Sequence, residues 1–183
     1  MTDPAQFENF LRDYQDMAYH TAWRLLGHEA EAEDVVQEAF LRAWEHWEDL
    51  AGSPTAGGWL RTVTRNLCLN HLERYRARWK MFSDLKSADA DSDEAGLEAT
   101  FAAPETLAGH LLNADQQAVL GEALAKLPPD QRTALVLYHF EDLDYVEIAD
   151  RLGISLGKVK TDIHRARRAL YKKLQPRRDE LGV

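Results

Sequence analysis

The sequence predicts an all-α chain: two small helical domains joined by a flexible acidic linker, the C-terminal one carrying a helix-turn-helix. Three observations lead there. Apolar residues recur at the spacing of one helix face through most of the chain. Ala and Leu abound while Val and Ile are sparse, which favours helix over sheet. The helical pattern vanishes between Ser83 and about Asn113, where Asp89, Asp91, Asp93 and Glu94 gather among Ala, Ser and Gly. These place one domain over 1–82, a linker over 83–113, a second domain over 114–175 and a tail over 176–183. A flexible linker of that length reaches roughly 30 Å, so the two bodies are free to sit well apart.

The N-terminal half reads as three helices. Phe7, Phe10, Leu11, Tyr14, Ala18, Ala22 and Leu25 stripe the first, which Gly27 ends. A second is expected from about Glu31 to Trp47, with Val35, Val36, Ala39, Phe40, Ala43 and Trp47 inward. Asp34, Gln37, Glu38, Leu41, Arg42 and Glu45 face outward on it. Residues 51–58 read as a loop on their Gly, Pro and Ser content. A third helix is expected from Trp59 to about Lys80. Leu60, Val63, Leu67, His71 and Tyr75 line one side, with Thr62, Arg65, Asn66, Leu69, Asn70, Arg74 and Arg76 on the rest. Amides, arginines and aromatics on one solvent side suit single-stranded nucleic acid, whose bases stack and whose phosphates attract cations. An ordinary solvated helix fits the same residues.

The C-terminal half begins with Val119, Leu120, Ala123, Leu124 and Leu127 on one helix face. Pro128 and Pro129 end that helix and start the next, an apolar one over Thr133 to Phe140. Asp144 then caps a short helix with Glu147 as its capping-box partner, and Tyr145, Ile148, Ala149 and Leu152 form its apolar face. Gly153 makes the turn. Ser155 caps the last helix, with Val159, Ile163, Ala166 and Leu170 inward. Lys158, Lys160, Thr161, His164, Arg165, Arg167 and Arg168 occupy the opposite face and its flanks. A helix buried on one side and basic on the other, after a glycine turn, is the form of a helix-turn-helix reader of duplex DNA. The alternative is a basic amphipathic hairpin with no such role. The tail from Gln175 onward is expected to fray.

The formal net charge of −9 looks wrong for a DNA binder, but the charges are segregated. Residues 1–50 hold twelve acidic and three basic side chains, whereas 51–80 hold six basic and one acidic. Local field decides where phosphate binds. No phosphate loop, nucleophile elbow or paired metal ligands appear, so neither enzyme chemistry nor a cofactor is expected. Cys68 is the only cysteine, which excludes an internal disulfide and suggests a reducing, cytoplasmic setting. No apolar run approaches the roughly 20 residues of a membrane span, and no signal peptide is visible.

Three segments then point to a family: Ala32 to Trp47 (AEDVVQEAFLRAWEHW), Gly57 to Arg78 (GGWLRTVTRNLCLNHLERYRAR) and Leu127 to Leu170. In order and spacing they resemble an extracytoplasmic-function sigma factor of bacterial RNA polymerase, a small sigma factor with only regions two and four. The resemblance implies a promoter-specificity subunit that recognises minus-thirty-five and minus-ten elements and promotes melting. It implies docking on the clamp coiled coil of core polymerase by Asp34, Gln37, Glu38, Leu41, Arg42 and Trp44. It implies minus-ten contacts, partly to single strands, by Arg61, Arg65, Asn66, Asn70 and Arg74. Minus-thirty-five duplex contacts fall to Ser155, Lys158, Lys160, Thr161, His164, Arg165 and Arg168. It also implies docking on the polymerase flap and an anti-sigma factor as partner.

Two departures stand out. Asp162 sits where a basic residue is common, so it is expected to pair with Lys158 or Arg165 rather than to meet phosphate. Ala56-Gly57-Gly58 stands where an aromatic often precedes the Trp59-Leu60 pair, which predicts a looser entry to the melting segment. Two other functions compete: a one-component helix-turn-helix regulator, and a helical interaction protein such as an adaptor. The first has no need of the α-helical faces around Asp34 and Arg65, the second none of the basic face from Lys158 to Arg168.

Overall fold

The computed structural model describes residues 4–83 and 114–177, without the side chains of 78–83. The expected linker and most of the tail lie outside the described residues. Those described are helical, with no strand among them, in the order α1 (Pro4–Leu26), α2 (Glu29–Glu45), α3 (Trp47–Leu50), α4 (Ala56–Ser83), α5 (Ala114–Ala125), α6 (Pro129–His139), α7 (Tyr145–Leu152) and α8 (Leu156–Leu174). Gln175–Arg177 adds a 3-10 turn, so the tail's first residues are ordered, and Arg177 reaches Glu122 at 2.8 Å.

The first three long helices, α1, α2 and α4, pack on one another. Gly27 takes a left-handed φ of 70° and ends α1, as its sequence position predicts. The second helix is broken at His46 and resumes as α3, which buries Trp47 and Leu50. Aromatic rings bind the outer end of this bundle: Phe7 and Phe10 both pack on Trp47, at centroid distances of 5.0 and 5.2 Å.

The expected loop at 51–58 is shorter than its composition suggests, because α4 starts at Ala56. Ala56 is buried, and a Cβ on Gly57 would come within 2.3 Å of the Tyr14 ring. The absent side chain is what lets α1 close on the first turn of α4. The looser entry expected before Trp59 is therefore corrected: Gly57 tightens it, while a Cβ on Gly58 would meet open space.

The C-terminal helices reproduce the predicted caps. Asp144 and Glu147 form a reciprocal capping box at 2.8 and 2.9 Å. Gly153 adopts φ 62°, and the Ser155 hydroxyl accepts from the Lys158 amide at 3.2 Å. Ile148, Val159, Ile163 and Ala166 are buried where α7 and α8 meet.

The two halves do not stand apart. Leu25, Leu26, Val35 and Cys68 share one apolar cluster with Leu120, Leu124, Leu135 and Ile163. Trp23 lies against Gly121, where a Cβ would fall 2.3 Å from the indole ring. Arg132, 5% exposed, donates to the α1 carbonyls of Leu25 (3.1 Å) and Leu26 (2.7 Å). Those carbonyls have no partner within their own helix, and the dipole there favours a cation.

Candidate nucleic-acid interface

The acidic face of α2 is fully displayed. Asp34, Gln37, Glu38, Leu41, Arg42, Trp44 and Glu45 are all exposed, while Ala32, Val35, Ala39, Phe40 and Ala43 fill the core. Leu41 is 60% exposed and Trp44 44%. Two large apolar side chains held in water beside an Arg42–Glu38 ion pair (3.0 Å) make a mixed surface of the kind that proteins dock on. Trp44 is held edge-on by Phe7 at 4.8 Å, so its orientation is set by α1.

The face of α4 is divided. Asn70 and Arg74 are exposed, one helical turn apart. Arg61, Arg65 and Asn66, expected on the same open surface, are instead partly buried and paired with residues of the C-terminal half, Arg61 keeping 40% of its side chain exposed. Arg61 lies 3.3 Å from the Glu141 carboxylate and also donates to the Phe140 carbonyl. The Arg65 guanidinium stands 3.8 Å from Glu141 with its side chain 13% exposed. The Asn66 side-chain oxygen accepts from Arg151 at 2.8 Å. Burial raises the Glu141 carboxyl above its ordinary pKa, against the lowering pull of Arg61, Arg65 and Arg24. Arg24 reaches this corner from α1 and lies 4.6 Å over the Phe140 ring.

On α8, Ser155, Lys158, Lys160, Thr161, His164, Arg165 and Arg168 are all exposed. Arg167, on the flank, is spent inside the fold: it donates to the His139 imidazole at 3.0 Å and lies 5.4 Å from the Tyr138 ring centroid. Burial first, and Arg167 second, lower the His139 pKa to about 4, so it is neutral and accepts that bond. Asp162 is 5% exposed and pairs with Lys158 at 2.8 Å, the i−4 partner its sequence position allowed, and not with Arg165. Lys158 also lies 3.6 Å from Asp130, which Arg76 of α4 approaches with its Nε at 3.2 Å. Burial pushes the Asp130 carboxyl up, but the hydrogen bond and charge of Arg76, with Lys158, bring it below the usual carboxylate range. Burial pushes the Cys68 thiol well up, which makes it a packed side chain and no nucleophile.

Sequence reasoning missed Arg132, Glu141, Asp130 and Arg151 as organising residues. Each is an ordinary charge in its own segment and acquires a role only through a partner 50 or more positions away in the chain. Among the described residues, no helix is long and apolar enough to cross a membrane.

A model of sigma-70 region 2 matches residues 10–78, and a model of sigma-70 region 4 matches residues 117–170. The chain is 31% identical over 175 residues to the ECF RNA polymerase sigma factor SigW of Bacillus subtilis, spanning 94% of this chain and 91% of that protein. It is 36% identical over 165 residues to the ECF RNA polymerase sigma factor SigE of Mycolicibacterium smegmatis, spanning 90% of this chain and 60% of that protein. Among solved structures, the sigma factor RpoE in complex with the anti-sigma factor NepR from Bartonella quintana aligns over 92% of this chain and 96% of its own, with 23% identity and a TM-score of 0.46.

Proposed function

This chain belongs to the extracytoplasmic-function sigma factors of RNA polymerase, and on that premise we propose how its surfaces divide the work of a promoter-recognising subunit. Residues 1–82 form the region-two unit and 114–175 the region-four unit, with 83–113 as the tether and 176–183 as a tail. The α2 face of Asp34, Gln37, Glu38, Leu41, Arg42 and Trp44 docks on the clamp coiled coil of core polymerase. It is exposed, mixed apolar and charged, and lies on a helix whose other side is core.

Arg61, Arg65, Asn66, Asn70 and Arg74 hold the minus-ten element. Amides pair with unstacked base edges and arginines follow the strand's phosphates, a division suited to DNA opened during melting. The α8 face takes the minus-thirty-five duplex. Lys158, Thr161 and Arg165, in its first turns, lie at the groove, while Lys160, His164 and Arg168 meet its edges and backbone, with the Ser155 cap ahead of them. The cytoplasm is the place of action, since polymerase and promoter are there. Region four also docks on the polymerase flap, and an anti-sigma factor is a further partner. Both of these rest on family membership alone.

The observation that carries this reading is the pairing, in one chain, of an exposed acidic and apolar docking face on α2 with an exposed basic face on α8. A lone regulator would need only the second. The test is reconstitution: purified chain, core polymerase and a promoter library, with start sites read by sequencing the transcripts. Initiation at a discrete set of promoters that share two spaced elements is expected. Transcripts no different from core enzyme alone would refute it.

A further inference from the structure

We propose that Leu156 and Gly157, the leading turn of α8, are the part of the recognition helix that goes deepest into the duplex, Gly157 by leaving clearance and Leu156 by resting on a thymine methyl. The inference rests on the minus-thirty-five reading of α8. Leu156 is the first residue of that helix and 41% exposed. Its neighbours Ile154 and Val159 are drawn into the apolar cluster. The Ser155 hydroxyl, accepting from the Lys158 amide at 3.2 Å, fixes the turn from which Leu156 projects. Val146 and Tyr171 are also large and exposed in this half, but Val146 belongs to α7 and Tyr171 to the last turn of α8. The leading residues of a recognition helix are those that reach base edges. A leucine side chain has no donor or acceptor to offer there. The apolar group on the major-groove edges of the bases is the thymine 5-methyl, so that is what a leucine can select.

Gly157 is the independent observation. Other glycines have a reason inside the fold. Gly27, Gly52 and Gly153 take left-handed φ values, and Cβ atoms on Gly57 and Gly121 would strike Tyr14 and Trp23 at 2.3 Å. Gly157 is exposed and helical, and a Cβ there would meet nothing within 4 Å. Glycine in a helix costs stability relative to alanine, so alanine would serve the fold better here. The spacing shows what glycine serves instead. Gly157, Thr161, His164 and Arg168 follow at i, i+4, i+7 and i+11, all exposed, so the glycine heads the stripe assigned to DNA. A helix with its side chains is about 10–12 Å across and the major groove about 12 Å wide, so a missing side chain at the head of that stripe sets how far the helix enters. Among the described glycines Gly58 is the other with neither reason, and it too stands in the first turn of a helix assigned to DNA, α4.

The test uses holoenzyme assembled from core polymerase and the full chain as wild type, Leu156→Ala, Leu156→Met or Gly157→Ala. A promoter recovered by the reconstitution above is rebuilt with its upstream element randomised over about ten base pairs, one turn of duplex, in two libraries. One library carries thymine in that block and the other uracil, which pairs alike and lacks the 5-methyl. Bound duplexes are sequenced, and urea unfolding of each chain checks its fold. Wild type is expected to enrich thymine at one or two positions about three- to fivefold more in the first library than uracil in the second. Leu156→Ala should lose that difference and keep its other base preferences, while Leu156→Met, still apolar and of similar reach, should keep most of it. Gly157→Ala should raise the urea midpoint by about 0.2–0.5 M and yet bind the thymine library about fivefold more weakly, opposite signs that a glycine serving the fold would not give.

Matching enrichments in the two libraries, a methyl preference that survives in Leu156→Ala, or Gly157→Ala binding as well as wild type would each overturn the proposal and leave the minus-thirty-five reading standing. Loss of core-polymerase capture in Leu156→Ala with the methyl preference intact would overturn it too, and assign the leucine to a polymerase contact. No base preference in the upstream block of either library would overturn that reading and the proposal together.

Discussion

Replacing Arg132 by methionine is expected to uncouple the two halves of the molecule. The side chain is 5% exposed and reaches from the start of α6 to the end of α1. It donates to Leu26 at 2.7 Å and Leu25 at 3.1 Å, and more distantly, at 3.4 Å, to the carbonyls of Ala125 and Leu127. Burial pulls the guanidinium below its usual pKa, but not to a range in which arginine loses its proton. Methionine keeps much of the aliphatic volume and removes every donor. Two charge-assisted bonds at about 1.5–3 kcal/mol each, offset by roughly 1 kcal/mol of desolvation that Arg132 no longer pays, give a loss of about 2–5 kcal/mol. With a urea slope of about 2 kcal/mol per molar, the midpoint falls by about 2 M. Tryptophan fluorescence and far-ultraviolet circular dichroism should follow one shared transition in wild type and two separated transitions in Arg132→Met. Arg132→Lys restores charge without the fork and is expected to recover less than half of the loss. Gly27→Ala tests the same contact from the other side: its Cβ would fall 2.6 Å from the Arg132 guanidinium, at a φ of 70° that already disfavours alanine. A midpoint shift below about 0.5 M for Arg132→Met, with one transition retained, would show that the apolar seam alone joins the halves and that the reasoning from the carbonyls is wrong.

Three further outcomes are expected. Charge reversal of Asp34 and Glu38 to lysine should weaken capture of core polymerase at least tenfold (about 1.4 kcal/mol) while leaving thermal unfolding within a few degrees, since both side chains are exposed; equal capture in a pull-down would remove α2 from the docking surface. On α8, Arg165→Ala should cost about 1–3 kcal/mol on a matched upstream element and little on a scrambled one, whereas Arg168→Ala should weaken both alike and lower the salt slope by roughly one; equal losses on both elements for Arg165→Ala would make it a backbone contact. The depressed His139 pKa, about 4 in the fold against 6.5 in the unfolded chain, means the unfolded state takes up the proton first. Stability from this group is whole above about pH 6.5 and falls towards pH 4, by on the order of 2–3 kcal/mol. His20, whose pKa burial and Arg24 also lower, works in the same direction, so the comparison is with His139→Gln. An unchanged pH dependence of the urea midpoint in that variant would refute the assignment.

Much of this protein was legible in the chain itself. Asp144, Glu147, Gly153 and Ser155 announce the helix-turn-helix because caps and turns are local chemistry, decided within four residues. The exposed set on α2 and the basic set on α8 follow from period alone, because the opposite positions are apolar and must be buried. The partner of Asp162 was readable for the same reason, although only the structure chose Lys158 over Arg165. Local signals also misled. The run Ala56-Gly57-Gly58 reads as loop, yet Gly57 is helical because α1 presses Tyr14 against a position with no side chain. What the tertiary structure alone decided is the closure of the two halves: Arg132 on the α1 carbonyls, Trp23 on Gly121, and Glu141 against Arg61 and Arg65. None of these leaves a periodic trace, because a charge that pairs across 80 residues is, in its own segment, indistinguishable from one that faces water. Periodicity reports which side of a helix avoids solvent, while the identity of what covers a polar side depends on how separate helices pack, and that is settled only when the whole chain has folded.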